Sequence, residues 1–158
     1  MIAEGLLSRG ECADCRECCV FESYDLSDTP VITDEVMRRV RELDPERRFA
    51  EFDGRRLFVM DKEPDSDCHF CPMLDRERGC RLGEDKPFDC RIFPLRIMEL
   101  AGRRVIAVSP VCPVISGKPF GRLLAEARRL APAIFAEADR CPQIIRQYIT
   151  GYPVLVIE

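Results

Sequence analysis

Residues 11–20 read ECADCRECCV, which sets Cys12, Cys15, Cys18 and Cys19 within eight positions, the last two adjacent. Adjacent side chains diverge, so one tetrahedral CxxC-type site does not account for the run. The chain carries ten cysteines in 158 residues. At that length it buries roughly 70% of its unfolded surface and holds a core without cross-links. Its first residues, MIAEGLLSRGE, have neither the basic start nor the apolar run of a secretory signal. No stretch of about 18 apolar residues predicts a membrane span. The expected location is therefore the cytoplasm, where thiols stay reduced. Clustered cysteines there read as metal ligands or redox groups before they read as disulfides.

Net charge is −4, and the 24 basic residues, nearly all arginine, are scattered along the chain. Nucleic-acid binding needs a concentrated basic face, so it is not expected. Arginines close to several thiolates would offset their charge.

The pattern along the chain predicts a small α+β fold in one domain, residues 1–158. It has two β-hairpins, a cysteine-rich loop layer and C-terminal helices over 120–150. FESYDLSDTPVI reads as an extended connection. TDEVMRRVRELDP then reads as a helix capped by Thr33, with Val36, Val40 and Leu43 on one face and Pro45 beyond its end. Asp53-Gly54 and Ala101-Gly102 mark the two hairpin turns. Pro94 suits an edge position or a bulge near the start of the second hairpin. Pro132 predicts a kink or a break in FGRLLAEARRLAPAIFAEADR. CPQIIRQYITGY reads as a last short helix and PVLVIE as a terminal strand.

A second cluster holds Cys68, Cys71, Cys80 and Cys90; Cys112 and Cys141 follow. The residues alone leave two metal readings open. Cys12/Cys15 and Cys68/Cys71 form two CxxC pairs, enough for one four-thiolate zinc site. Alternatively, Cys12, Cys15 and Cys18 have the C-x2-C-x2-C spacing of a [4Fe–4S] loop, whose fourth thiolate comes from elsewhere. Cys71, Cys112 and Cys141 all precede proline, as that fourth ligand often does. A metal-free thiol-redox protein is a third reading.

The chain also resembles the CxxCxxCC cysteine-cluster family, YkgJ-type proteins described as a zinc- or iron-chelating domain. The likeness begins at Cys12-x2-Cys15-x2-Cys18-Cys19 and continues through CPMLDRERGC, KPFDCRIFP and CPVISG. Lys86 stands where the family usually has Arg, RLGED replaces an aromatic-containing segment, and Val114 replaces a common Gly. The resemblance implies eight metal ligands: Cys12, Cys15, Cys18, Cys19, Cys71, Cys80, Cys90 and Cys112. Cys68 and Cys141 are then extras. It also singles out Arg91, in the family's CR dipeptide, as a donor to a thiolate or cluster sulfide.

If residues 12–19 are helical, about 100° per residue puts Cys12, Cys15 and Cys19 within roughly a 60° arc and Cys18 off it. If they form a loop, Cys12, Cys15 and Cys18 converge and Cys19 points away. In either case the adjacent pair is split, and the run is expected to feed two metal centres. An all-sulfur donor set suits zinc or iron–sulfur, not magnesium or calcium. The single histidine, His69, gives little support to a Ser-His-Asp triad, and no phosphate or dinucleotide loop is present. The expected function is a metal-cluster protein, with an iron–sulfur cofactor of one or two [4Fe–4S] clusters, and an electron-transfer or redox role. Its partner is a redox or other protein, with neither nucleic acid nor membrane. The alternative is a zinc-binding structural or interaction module.

Overall fold

The computed structural model describes residues 3, 5–21, 29–62 and 67–158. The connection expected over 21–32 falls partly outside them. The fold is α+β, and its chain contacts divide into two compact units, Cys12–Cys90 and Met1–Glu11 with Arg91–Glu158.

The Cys12–Cys90 unit holds most of the cysteines on short elements. Helix α1 (Arg9–Cys15) leads into it, followed by strand β1 (Val20–Phe21) and helix α2 (Asp34–Leu43). Thr33 caps α2: its hydroxyl accepts the Val36 N–H at 3.3 Å, and the helix stops at Leu43, before Pro45. Strands β2 (Phe49–Phe52) and β3 (Arg55–Phe58) form the first hairpin. Its turn residues, Asp53 and Gly54, both have positive φ, 50° and 68°, as a type I′ turn requires. Strands β4 (Asp61–Lys62) and β5 (His69–Phe70) join β1 in a three-stranded sheet of order β1-β5-β4. Strands β6 (Leu74–Asp75) and β7 (Gly79–Cys80) pair separately, and α3 (Phe88–Ile92) follows. The core comprises Ile32, Val36, Val40, Phe58, Met60, Met73 and Leu82, with Cys71 and Cys80 packed against it. Arg47 ties the end of α2 to β4, pairing with Asp44 at 2.8 Å and Asp61 at 2.7 Å.

The second unit is built on the other hairpin, β8 (Leu95–Leu100) and β9 (Arg103–Val108). Ala101 and Gly102 turn it with φ of 51° and 75°. Pro94 lies just before β8, which is an interior strand and not the edge expected. The order is β10-β8-β9-β11, with β10 (Arg146–Gln147) parallel to β8 and β11 (Val154–Ile157) antiparallel to β9. PVLVIE is thus the terminal strand expected.

A short α4 (Pro113–Ser116) precedes α5 (Phe120–Arg140), which runs unbroken through Pro132. Pro132 is exposed, while Ala127, Leu130, Ile134 and Ala138 on both sides of it are buried. Packing of that stripe holds the helix together where the missing N–H would otherwise divide it. Arg104 on β9 stacks over Phe135 of α5 at 5.6 Å and pairs with Asp139 at 2.6 Å. The helix expected over CPQIIRQYITGY is instead a 3-10 turn, Pro142–Ile144, leading into β10. Pairing with β8, some 48 residues upstream, overrides the local helical pattern. No helix among the described residues is long and apolar enough to cross a membrane.

Candidate metal centre

The N-terminal run is neither a single helix nor a loop. Ser8 and Glu11 form a capping box: the Ser8 N–H donates to the Glu11 carboxylate at 2.8 Å, and the Glu11 N–H donates to the Ser8 hydroxyl at 3.2 Å. Helix α1 then runs only to Cys15, because Arg16 adopts a left-handed conformation with φ 55°. The Arg16 side chain folds back to donate from Nε to the Ala13 carbonyl at 2.7 Å. A 3-10 turn, Glu17–Cys19, follows, closed by the Cys19 N–H on the Arg16 carbonyl at 2.8 Å. Cys12 and Cys15 therefore sit on the helix, and Cys18 and Cys19 on the turn.

The capping box makes the start of α1 sensitive to acid. Hydrogen bonds from the Ser8 backbone and hydroxyl, helped by Lys118, lower the Glu11 carboxyl from 4.5 to about 2. A depressed folded value means that the contribution to stability is present above the unfolded value and is lost as pH falls through the folded one. Stability measured from pH 5 down to about 2 should fall less steeply in Glu11→Gln than in the natural chain. Identical slopes would remove the capping box from the account.

The adjacent pair stays in contact and shares neighbours. The Cys18 and Cys19 sulfurs lie 3.9 Å apart. Cys18 acts most strongly on Cys12, and Cys18 and Cys71 on Cys19. Cys80 and Cys90 add to the group, since Cys80 acts on both Cys19 and Cys90, and Cys18 and Cys19 act on Cys90. Six thiols from four stretches of the chain thus form one interacting set: Cys12, Cys18, Cys19, Cys71, Cys80 and Cys90.

Each supporting element has a local cause. The β1–β5 ladder pairs Val20 with Phe70 and Phe21 with His69, and one step further the Cys71 N–H donates to the Cys19 carbonyl at 2.8 Å. The β6–β7 hairpin sets Cys80 opposite Leu74. Gly79, with φ 83°, faces Ala13 so closely that an added Cβ would come within 3.2 Å of the alanine Cβ. This close approach brings α1 against β7, and it explains the glycine in ERGC. Cys90 lies in α3, its N–H donating to the Pro87 carbonyl at 3.0 Å.

Crowding makes these thiols poor acids while no cation is bound. The Cys18 hydrogen bond, then burial, raise Cys12 well above the ordinary thiol range, against a small opposing pull from Lys86. For Cys19 the Cys18 hydrogen bond pulls down, but the Cys71 hydrogen bond, burial and neighbouring sulfurs leave it raised. Burial, followed by the surrounding thiols, raises Cys90.

Asp89, beside Cys90, has a role that the sequence reading missed. It is buried, and its carboxylate accepts the Val31 N–H at 2.9 Å, pinning residues 29–32 to α3. An acidic residue between Phe88 and Cys90 in KPFDCRIFP was the available signal. Asp89→Ala leaves that N–H without its acceptor and should cost about 1–3 kcal/mol in denaturant unfolding. Asp89→Asn, which keeps an oxygen acceptor, should cost less. Equal losses would assign the effect to charge and not to the hydrogen bond.

The other expected site residues are placed differently. Cys15 lies on α1, half-buried. Cys112 belongs to the second unit, buried at the start of α4, where its carbonyl accepts the Ile115 N–H at 3.3 Å. Arg91 follows Cys90 along α3 and belongs to the second unit, its carbonyl accepting the Ala3 N–H at 3.3 Å. His69 lies on β5, between Phe21 of β1 and Lys62 of β4. Cys68 precedes β5, and the Cys141 thiol donates to the Gln143 side chain at 3.4 Å.

All ten cysteines are thiols. Among the described residues, no three or more His, Cys, Asp or Glu side chains are arranged to hold an ion as they stand. The thiol donors of the set nevertheless suit a soft cation or an iron–sulfur cluster more than a hard cation. The chain matches no protein-family model, no curated protein and no solved structure at the significance required.

Proposed function

We propose that this chain is a metal-cluster protein of the cytoplasm whose cysteine unit holds an iron–sulfur centre used in electron transfer or a related redox step. The observation that carries the reading is the placing of Cys19 beside Cys18, with sulfurs 3.9 Å apart, and against Cys71, whose N–H its carbonyl accepts at 2.8 Å, while Cys71 and Cys80 pack on one core. The spacing of the CxxCxxCC family, which the chain resembles, points the same way.

Cys12, Cys18, Cys19, Cys71, Cys80 and Cys90 would supply the thiolates. A bound iron–sulfur cluster supplies one-electron redox chemistry, at a potential set by charge, hydrogen bonding and exposure. Lys86, already favouring the thiolate of Cys12, offsets negative charge on that side. The core beneath Cys71 and Cys80 limits water on the other. Cys15, Cys112 and Arg91 remain proposed contributors on the strength of the resemblance.

Anaerobic reconstitution of the full chain with ferrous iron and sulfide tests the reading. The natural chain should develop visible charge-transfer absorption, and a variant with the six cysteines replaced by serine should not. A natural chain that stays colourless would contradict the proposal. Stoichiometric uptake of zinc alone would favour the interaction module.

A further inference from the structure

The geometry points to Gly5, Leu6 and Leu7 as a two-position strap that fastens the start of α1 to α5 and so sets whether Cys12 and Cys15 are carried on an ordered helix. The Gly5 peptide is held between Arg122 and Glu126 of α5. Arg122 donates to the Gly5 carbonyl from Nη2 at 2.8 Å and from Nε at 3.1 Å. The buried Glu126 carboxylate lies against the Gly5 Cα: a Cβ there would come within 2.6 Å of its Cδ and 2.7 Å of either oxygen. That carboxylate is not at liberty to swing aside, because Arg129 grips it at 2.6 and 2.8 Å. Arg129, then the Gly5 N–H and Arg122, hold its carboxyl below the ordinary range against the opposing effect of burial. Position 5 therefore takes glycine for want of space.

The second position comes from the spacing of the clamp. An arginine and a glutamate at i and i+4 on a helix are neighbours and pair directly when nothing lies between them. With the strap in, the Arg122 donors go to the Gly5 carbonyl; with it out, they reach Glu126, so release leaves neither charge stranded. Burial of Leu6 and Leu7, 1% and 3% exposed, is what favours the closed position. Helix α1 follows within two residues and is only seven residues long, too short to stand without outside support. That support is the strap, the Ser8–Glu11 capping box and the 3.3 Å pair between Lys118 and Glu11. Release of the strap takes away the anchor of the capping box, and α1 frays as far as its last bond, from the Arg16 N–H to the Cys12 carbonyl at 3.2 Å. The device is an order–disorder switch of one segment.

Amide hydrogen exchange of the full chain, reduced and metal-free, tests the strap. In the natural chain the amides of Leu6 and Leu7 and those of residues 13–16 should open together, well before those of β8 and β9. Gly5→Ala should speed exchange over residues 13–16 about tenfold and leave β8 and β9 protected. Exchange at the natural rate over 13–16 would overturn the inference. In a Glu126→Ala background the carboxylate that the new Cβ meets is gone, so Gly5→Ala should add less than about twofold. An undiminished effect there would overturn the clamp. If Gly5→Ala also strips the protection of β8 and β9, Arg122→Ala decides, because it removes both donors to the Gly5 carbonyl without adding bulk. Faster exchange over 13–16 in that variant supports the strap, and the natural rate overturns it. Because the readout is amide exchange in the metal-free chain, the result stands or falls separately from the iron–sulfur reading.

Discussion

Replacing Phe58 with alanine should remove about 3–5 kcal/mol of stability, a large share of the roughly 5–15 kcal/mol that holds a domain together. Phe58 is 1% exposed and stacks on Phe49, its register partner across the first hairpin, with ring centroids 6.0 Å apart. Its ring belongs to the core that Val36 and Val40 of α2 share with Met73 and Leu82. Truncation loses the burial of the ring and leaves a cavity that rigid neighbours fill only in part. The effect should reach the thiols, because Cys71 and Cys80 pack against the same cluster. Denaturant unfolding of the metal-free chain should show a lower midpoint at an unchanged slope. Phe58→Leu, which keeps more of the volume, should cost much less. A loss below about 1 kcal/mol in Phe58→Ala would mean that this core does not carry the unit.

Cys19→Ser should have the largest effect on metal binding of any single cysteine replacement. The Cys19 sulfur lies 3.9 Å from that of Cys18, and its carbonyl accepts the Cys71 N–H at 2.8 Å, so Cys19 links the two cysteine segments. Losing an outer-sphere partner typically weakens metal affinity roughly 10–100-fold, and losing this ligand should exceed that. Cys68→Ser, outside the set, should stay near the natural value. Cys12→Ser separates one shared centre from two: with two centres it strips part of the metal and spares the rest, whereas with one it resembles Cys19→Ser. Competition with a chelator of known affinity measures all three. A Cys19→Ser chain that binds as tightly as the natural one would remove Cys19 from the centre.

Much of the architecture was legible because its signals are local. Asp53-Gly54 and Ala101-Gly102 encode their own turns, Thr33 its cap, and PVLVIE its strand. The misreadings share a different cause, since each depends on a partner distant in sequence. CPQIIRQ lost its helix to pairing with β8, and Pro132 was overruled by the buried stripe around it. Asp89 gained its role from Val31, 58 residues upstream.

The candidate site divides in the same way. The spacing of Cys12, Cys15, Cys18 and Cys19 led to the expectation that the run feeds two metal centres, by way of either a helix or a loop. The backbone is instead a helix and then a turn, with a break at Arg16, whose left-handed backbone is unusual for a non-glycine residue and leaves no local mark. Cys15 entered through its spacing and Cys112 through its proline and the family resemblance, none of which carries distances.

The most direct test of the metal-cluster account is analysis of iron, acid-labile sulfide and zinc in the full chain purified without oxygen. The account predicts a brown protein holding iron and sulfide together in stoichiometric amounts. A colourless protein, whether metal-free or carrying stoichiometric zinc, would contradict it.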